Sequence, residues 1–194
     1  MVSPKILSWI FALVLILTPT VAVLSIEPTP KLPPLEPVKV TYVPVVIKEK
    51  QPDPEEVFCL AQNVYHEARG EDLSGQVAVA HVTMNRVNSE KFPNTVCEVV
   101  YQARYSKWWL DRGKKVPIRH KCQFSWYCDG KSDGITDWKT FDNIVSVSRD
   151  IILGKHEDNT NGAVYYHADY VKPNWSNYMK VSAVYDNHIF YSDY

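Results

Sequence analysis

The chain has 194 residues, 45% hydrophobic and 22% charged, with a formal net charge of −1. That length holds one globular domain with extensions, not two domains. The near-neutral balance, without a dominant basic patch, argues against a nucleic-acid partner.

No charged residue occurs from Ile6 to Ile26, between Lys5 and Glu27. As a helix this run would rise about 31 Å, close to one hydrocarbon core. A lone N-terminal Lys keeps the amino end in the cytoplasm. Residues 1–26 therefore read as a hydrophobic helix, either a retained signal anchor or a cleaved signal peptide. Pro19 would kink an anchor, whereas Thr20-Val21-Ala22 is a poor cleavage site, and the anchor is favoured. The remainder is exported on either reading, tethered at the membrane in the extracytoplasmic space or secreted. Residues 27–54 carry eight of the thirteen prolines. They read as an extended linker of about 3.1 Å per residue, or simply a disordered one, with a strand at Val38–Ile47 left open. The folded domain is expected over 55–194.

Asp53-Pro54-Glu55-Glu56 predicts a helix start, with Asp as N-cap, Pro in the first turn and acids against the dipole. Val57, Leu60, Ala61, Val64 and Ala68 form one helical face, so this helix runs to about Ala68. It ends in Tyr65-His66-Glu67-Ala68-Arg69-Gly70-Glu71. Glu67 lies about 80° from the centre of the apolar stripe, at its border. A carboxyl there is partly desolvated, which raises its pKa and suits a general acid. The plain alternative is a surface Glu before a Gly70 C-cap. His66 points about 100° away from Glu67 around the helix.

Ser74 is the expected N-cap of a second helix. Val77, Ala80, Met84 and Val87 mark its inner face, while Ala78, Val79 and Val82 make the other sides apolar. Such a helix is buried, and Asn85 and Arg86 then need partners. Phe92-Pro93-Asn94 breaks the chain before a short helix over Thr95–Gln102. Residues 103–121, basic and aromatic with neither period, read as a surface loop, either a solvated charge run or a lip over an anionic polymer. Gln123–Tyr127 reads as a strand or a turn. Asp137 caps a third helix with Trp138, Phe141, Ile144, Val145, Ser148 and Ile151 on one side and Gly154 at its end. Ala163–His167 is a short β-like run, and Val181–Tyr185 and Ile189–Tyr191 flank Asp186-Asn187-His188 as a hairpin. Helices first and strands afterwards predict an α+β fold.

Cys59, Cys97, Cys122 and Cys128 make an even count in an exported domain, hence two disulfides with three possible connectivities. Cys122 and Cys128 enclose five residues, which favours pairing them, with Cys59 bridged to Cys97. Loop closure gives about 4 kcal/mol for the long loop and about 2.4 for the short one. No C-x₂-C unit is present, and no metal or cofactor is expected.

The runs CLAQNVYHEARGEDLSGQVAVAHVTMNRV, FPNTVCEVVYQ, CQFSWYCDG and YYHADYVKPNW occur in that order. Together they resemble the SleB-type cell wall hydrolases, best known from spore-cortex-lytic enzymes, over residues 57–192. The resemblance implies a compact lysozyme-like helical core with a small C-terminal antiparallel sheet or hairpin. It also implies cleavage of peptidoglycan glycan strands in the manner of lytic transglycosylases, with Glu67 as the catalytic acid. The muramic sugar's own 6-hydroxyl would then close a 1,6-anhydro ring. Glycosidases that work with two carboxylates hold them about 5–9.5 Å apart, and Glu71 is the available partner if it folds back. Otherwise Glu71 pairs with Arg69 or joins the next helix. Gln123, Ser125 and Trp126 offer an amide, a hydroxyl and an aromatic face for an N-acetyl sugar, with a core role as the alternative for Trp126. Tyr166 and His167 are assigned to the opposite wall as binding residues.

Two other readings compete. A metallo-amidase would need H-E-x-x-H, but Gly70 stands where the second His belongs. An anchored, non-catalytic peptidoglycan-binding protein would not require Glu67. A hydrolytic muramidase using a second carboxylate is the alternative mechanism, and a monomer is expected. Phage lysis, wall remodelling and germination are all open as biological tasks, germination fitting an anchored, disulfide-bonded domain least.

Overall fold

The computed structural model describes residues 51–192. The hydrophobic N-terminal segment and most of the linker fall outside them. Among the described residues, no helix is long and apolar enough to cross a membrane.

Helix α1 (Pro54–Ala68) is the centre of the domain, packed against three other helices. The Asp53 carboxylate accepts from Glu55 N at 2.9 Å and starts it as expected. Its apolar stripe is buried throughout. Helix α2 (Leu73–Val87) begins two residues earlier than Ser74 predicts. Asp72 is the N-cap, accepting from Gly75 N at 2.9 Å, while the Ser74 hydroxyl donates to Asp72 at 2.6 Å. The carboxylate outcompetes the hydroxyl for the orphan amide because a charged acceptor binds it more strongly. Val77–Ala80 and Val82 are buried, as a helix apolar nearly all round requires. Its polar insertions find partners across the domain. Asn85 donates to Asp158 Oδ2 and Ala163 O, and Arg86 Nε donates to Val164 O at 2.8 Å.

Thr95 caps α3 (Val96–Val100), and the Cys59–Cys97 disulfide ties it to α1. Glu56 reinforces that junction by accepting from Val96 N at 2.5 Å. The second disulfide joins Cys122 and Cys128, so both expected pairs are present.

The segment read as a loop is ordered. Strands β1 (Ala103–Tyr105) and β2 (Pro117–Cys122) pair antiparallel around helix α4 (Lys107–Leu110). Three-residue pairing leaves too short a period to read. The basic and aromatic side chains there satisfy one another, with Arg112 3.8 Å above the Trp108 ring and Lys114 5.2 Å from that of Trp109. Residues 125–128 form a 3₁₀ turn, the second of the two options open for that stretch.

Helix α5 (Trp138–Ile152) starts on Asp137, and Gly154 takes the left-handed conformation just beyond its end. Phe141, Ile144, Ser148 and Ile151 are buried against α1 and α2, but Trp138 is 60% exposed. As the first helical residue it overhangs the core and meets the Phe141 ring edge-on.

The last quarter is a three-stranded antiparallel sheet in the order β3 (Tyr165–Ala168), β5 (His188–Ser192), β4 (Lys180–Tyr185). The hairpin turn is tighter than expected. Only Asp186 and Asn187 form it, Asp186 with φ of 43°, and His188 is already paired with Tyr185 and Ala168. That extra strand position has a consequence: with a side-chain period of two, His188 and Phe190 share the inward face. The architecture is α+β, a helical core with two small antiparallel sheets.

Candidate active site

Glu67 projects from the last turn of α1 into a cleft of roughly 870 Å³ between that helix, the 125–128 turn and strand β3. Helix periodicity carries it to the border of the buried stripe, where it is half-buried. Its Oε2 accepts a hydrogen bond from the Tyr166 hydroxyl at 3.0 Å. Burial pushes the Glu67 pKa above its ordinary value. The Tyr166 hydrogen bond and the charges of His188 and Arg86 oppose that shift, and the Glu71 carboxylate adds to it. The result is a carboxyl favoured as an acid yet surrounded by groups able to support its conjugate base. Burial, followed by the neighbouring Glu67 charge, drives the Tyr166 hydroxyl pKa well up, so it stays a hydrogen-bond donor.

Arg86 lies beneath the cleft, sandwiched against Phe92 and Phe124 with its guanidinium 5.4 and 5.0 Å from the ring centres. With the Gln123 amide oxygen turned towards it, Nη2 and Nη1 donate to that oxygen at 3.1 and 3.2 Å. Gln123 therefore orients on Arg86 while lining the cleft, and Ser125 is exposed beside it. The Cys122–Cys128 bridge closes the loop that carries both.

Trp126 is only 7% exposed. Its indole N–H donates to Asn63 Oδ1 at 3.0 Å and its ring stacks on His66 at 4.5 Å. It forms part of the cleft wall with no free stacking face. His66 has its pKa lowered by burial and bonds Asp133 O at 3.2 Å, on the far side of that stack. His167 is buried and committed at both nitrogens. Ala168 O can only accept, so Nδ1 (2.9 Å) carries the proton and Nε2 accepts from the Tyr191 hydroxyl at 2.8 Å. It also lines the cleft.

Glu71 does not line the cleft and does not pair with Arg69, whose guanidinium instead donates to Tyr65 O. Its carboxylate turns inward to His188. The cleft thus gathers Glu67, Gln123, Ser125, Trp126, Tyr166 and His167, with Glu71 behind it. It adds Arg86, His188, Tyr170 and Trp175, which sequence reasoning did not place there. Tyr170, 83% exposed, and Trp175 supply the open aromatic faces that Trp126 lacks. Arg86 was signalled as a buried cation wanting partners, whereas nothing local marks His188. Among the described residues, no group of three or more His, Cys, Asp or Glu is placed to hold a metal ion.

Residues 70–191 match the family model described as Cell Wall Hydrolase. Glu67 lies three residues before that stretch. The spore cortex-lytic enzyme of Bacillus subtilis (strain 168) is 53% identical over 47 residues, covering 24% of this chain and 15% of that protein. That of Oceanobacillus iheyensis is 51% identical over 49 residues, 25% of this chain and 18% of that protein. The chain thus spans under a fifth of the length of these curated relatives. The crystal structure of the catalytic domain of the Bacillus cereus SleB protein is 27% identical, covers 72% of this chain and 91% of that one, and has a TM-score of 0.47.

Proposed function

This chain belongs to the cell wall hydrolase family, and we propose that it cleaves the glycan strand of peptidoglycan between N-acetylmuramic acid and N-acetylglucosamine, as a lytic transglycosylase. The observation that carries the reading is Glu67: a carboxyl with raised pKa, in a cleft, hydrogen-bonded through Tyr166. The relatives named for lysing spore cortex support the substrate class.

Glu67 enters as the acid and gives its proton to the glycosidic oxygen as positive charge develops at the muramic C1. Its carboxylate is then supported by the Tyr166 hydroxyl and the nearby Arg86 charge. The 6-hydroxyl of the same sugar attacks C1 and releases a proton to a base in the cleft, Glu67 itself being available. A two-carboxylate muramidase is less well supported, because Glu71 is turned away from the cleft. Both disulfides favour an oxidising, extracytoplasmic setting, whether the N-terminal segment anchors the chain or is removed.

Digestion of purified peptidoglycan in ¹⁸O-labelled water tests the route. The expected products carry 1,6-anhydromuramic ends free of label. Label at the new muramic end would replace the transglycosylase with a hydrolytic muramidase, and intact glycan strands would overturn the reading altogether.

A further inference from the structure

The turn after α1 and the first residue of β5 bring two buried ionisable side chains together at the back of the cleft. His188 Nδ1 lies 2.7 Å from Glu71 Oε1, with 9% and 6% of the two side chains exposed. The contact is close but not aligned as a hydrogen bond, and Glu71 Oε2 has no hydrogen-bond partner among the described residues. That oxygen sits against Gly75, where a Cβ would collide with it and stand 2.7 Å from Asp186 Oδ2.

His188 also lines the cleft that holds Glu67. Its ring stands edge-on to Tyr166, 5.0 Å between centres at 88°, and Tyr166 is the residue bonded to Glu67. With Nδ1 turned to Glu71, Nε2 is the ring nitrogen left for the cleft. The arrangement is that of an acid–base imidazole oriented by a carboxylate behind it. The titratable groups facing this imidazole are Glu71 from the α1–α2 turn, Tyr166 from β3 and Glu67 from α1, with Asp186 of the hairpin turn across Gly75 from Glu71 and Arg86 of α2 acting on Glu67.

We propose that His188 is a second catalytic residue of this cleft, the base that receives the nucleophile's proton, and that Glu71 is its positioning residue. The proposal rests on the glycan-cleaving reading above and divides its acid and base roles. Glu67 gives its carboxyl proton to the glycosidic oxygen, and the C1–O bond breaks with its electron pair on that oxygen. The attacking hydroxyl oxygen bonds to C1, and its proton passes to Nε2 of neutral His188. Glu71 stabilises the imidazolium so formed. His188 then loses that proton to solvent and Glu67 regains one from solvent, restoring both groups.

The test is His188→Asn in the full-length chain, acting on purified peptidoglycan and followed by release of soluble glycan fragments across the pH range. The Asn amide nitrogen takes the place of Nδ1 towards Glu71 but leaves no base at Nε2. The expected result is a kcat lower by about 10²–10⁴ with KM little changed. The rising limb of the wild-type pH profile disappears while the falling limb, set by Glu67, remains. Imidazole added to His188→Ala restores part of the lost rate, which a purely structural role would not produce. His66→Gln, altering another imidazole of the cleft wall, keeps the rising limb. Wild-type kcat and an unchanged rising limb in His188→Asn would overturn the proposal. So would a wild-type profile with no rising limb, a measurement that needs no variant to fold. An active Glu67→Gln would sink the functional reading itself, whereas an inactive Glu67→Gln beside an active His188→Asn would sink only the His188 assignment.

Discussion

Tyr166 donates its hydroxyl hydrogen to Glu67 Oε2 at 3.0 Å across 99 residues of sequence, joining the first helix of the domain to an edge strand of its C-terminal sheet. The bond opposes the burial that otherwise favours the protonated carboxyl. An acid that must both give up a proton and survive as a carboxylate needs both influences.

Tyr166→Phe removes that support and leaves burial less opposed. The Glu67 pKa rises further, so the falling limb of the pH–rate profile moves to higher pH. Loss of a hydrogen bond to a developing carboxylate is worth about 1.5–3 kcal/mol, so kcat/KM should drop about tenfold or more. A falling limb that stays in place in steady-state assays would show that Tyr166 does not tune Glu67.

Glu67→Gln should lower turnover by at least about 10²–10⁴, since the amide cannot transfer a proton to the leaving oxygen. It should also stabilise the fold at neutral pH. The folded-state pKa of Glu67 lies above its ordinary value of 4.5. Below that value both folded and unfolded chains are protonated and nothing is lost. As pH rises through the raised folded pKa, the unfolded chain ionises more readily and stability falls. The variant lacks this loss, so its Tm should exceed that of the wild type at pH 7 and converge with it below about pH 4. Thermal melts at several pH values check the pattern.

The disulfides should separate stability from activity. Replacing Cys59 and Cys97 by Ala removes a long loop closure and should cost about 4 kcal/mol in denaturant unfolding. Replacing Cys122 and Cys128 should cost less, about 2.4 kcal/mol. Its effect on KM should nevertheless be larger, because the loosened loop carries Gln123 and Ser125 to the cleft. Peptide mapping without reductant that found four free thiols would contradict both assignments.

Arg86→Met should destabilise the domain by about 2–4 kcal/mol despite its similar length. The Val164 carbonyl and the Gln123 amide oxygen would be left without their donor. Chemical denaturation of the variant measures the cost, and an unchanged midpoint would show that water replaces the guanidinium.

Much of this protein is local chemistry and therefore legible along the chain. The Asp53 cap follows from the chemistry of Asp-Pro-Glu-Glu, the α1 stripe and the placement of Glu67 at its border from a 3.6-residue period, and the structure keeps all three. The apolar surround of α2 foretold a buried helix in which Asn85 and Arg86 would need partners. The two cysteine pairs followed from export and loop length. What surrounds Glu67 did not follow from any local pattern. Strand β1 is three residues long and β2 is exposed on both faces along its middle, so neither shows an alternation, and they exist because they pair with each other. The hairpin differs from its expected form by one residue, yet that residue turns His188 inward onto Glu71 instead of leaving it in a loop. Trp126 offered an aromatic face in sequence but spends it on His66 and Asn63. Periodicity determines which side of an element is buried. Which partner meets that side is decided only when distant segments pack, because burial makes each polar group find whatever donor, acceptor or charge the fold brings within reach.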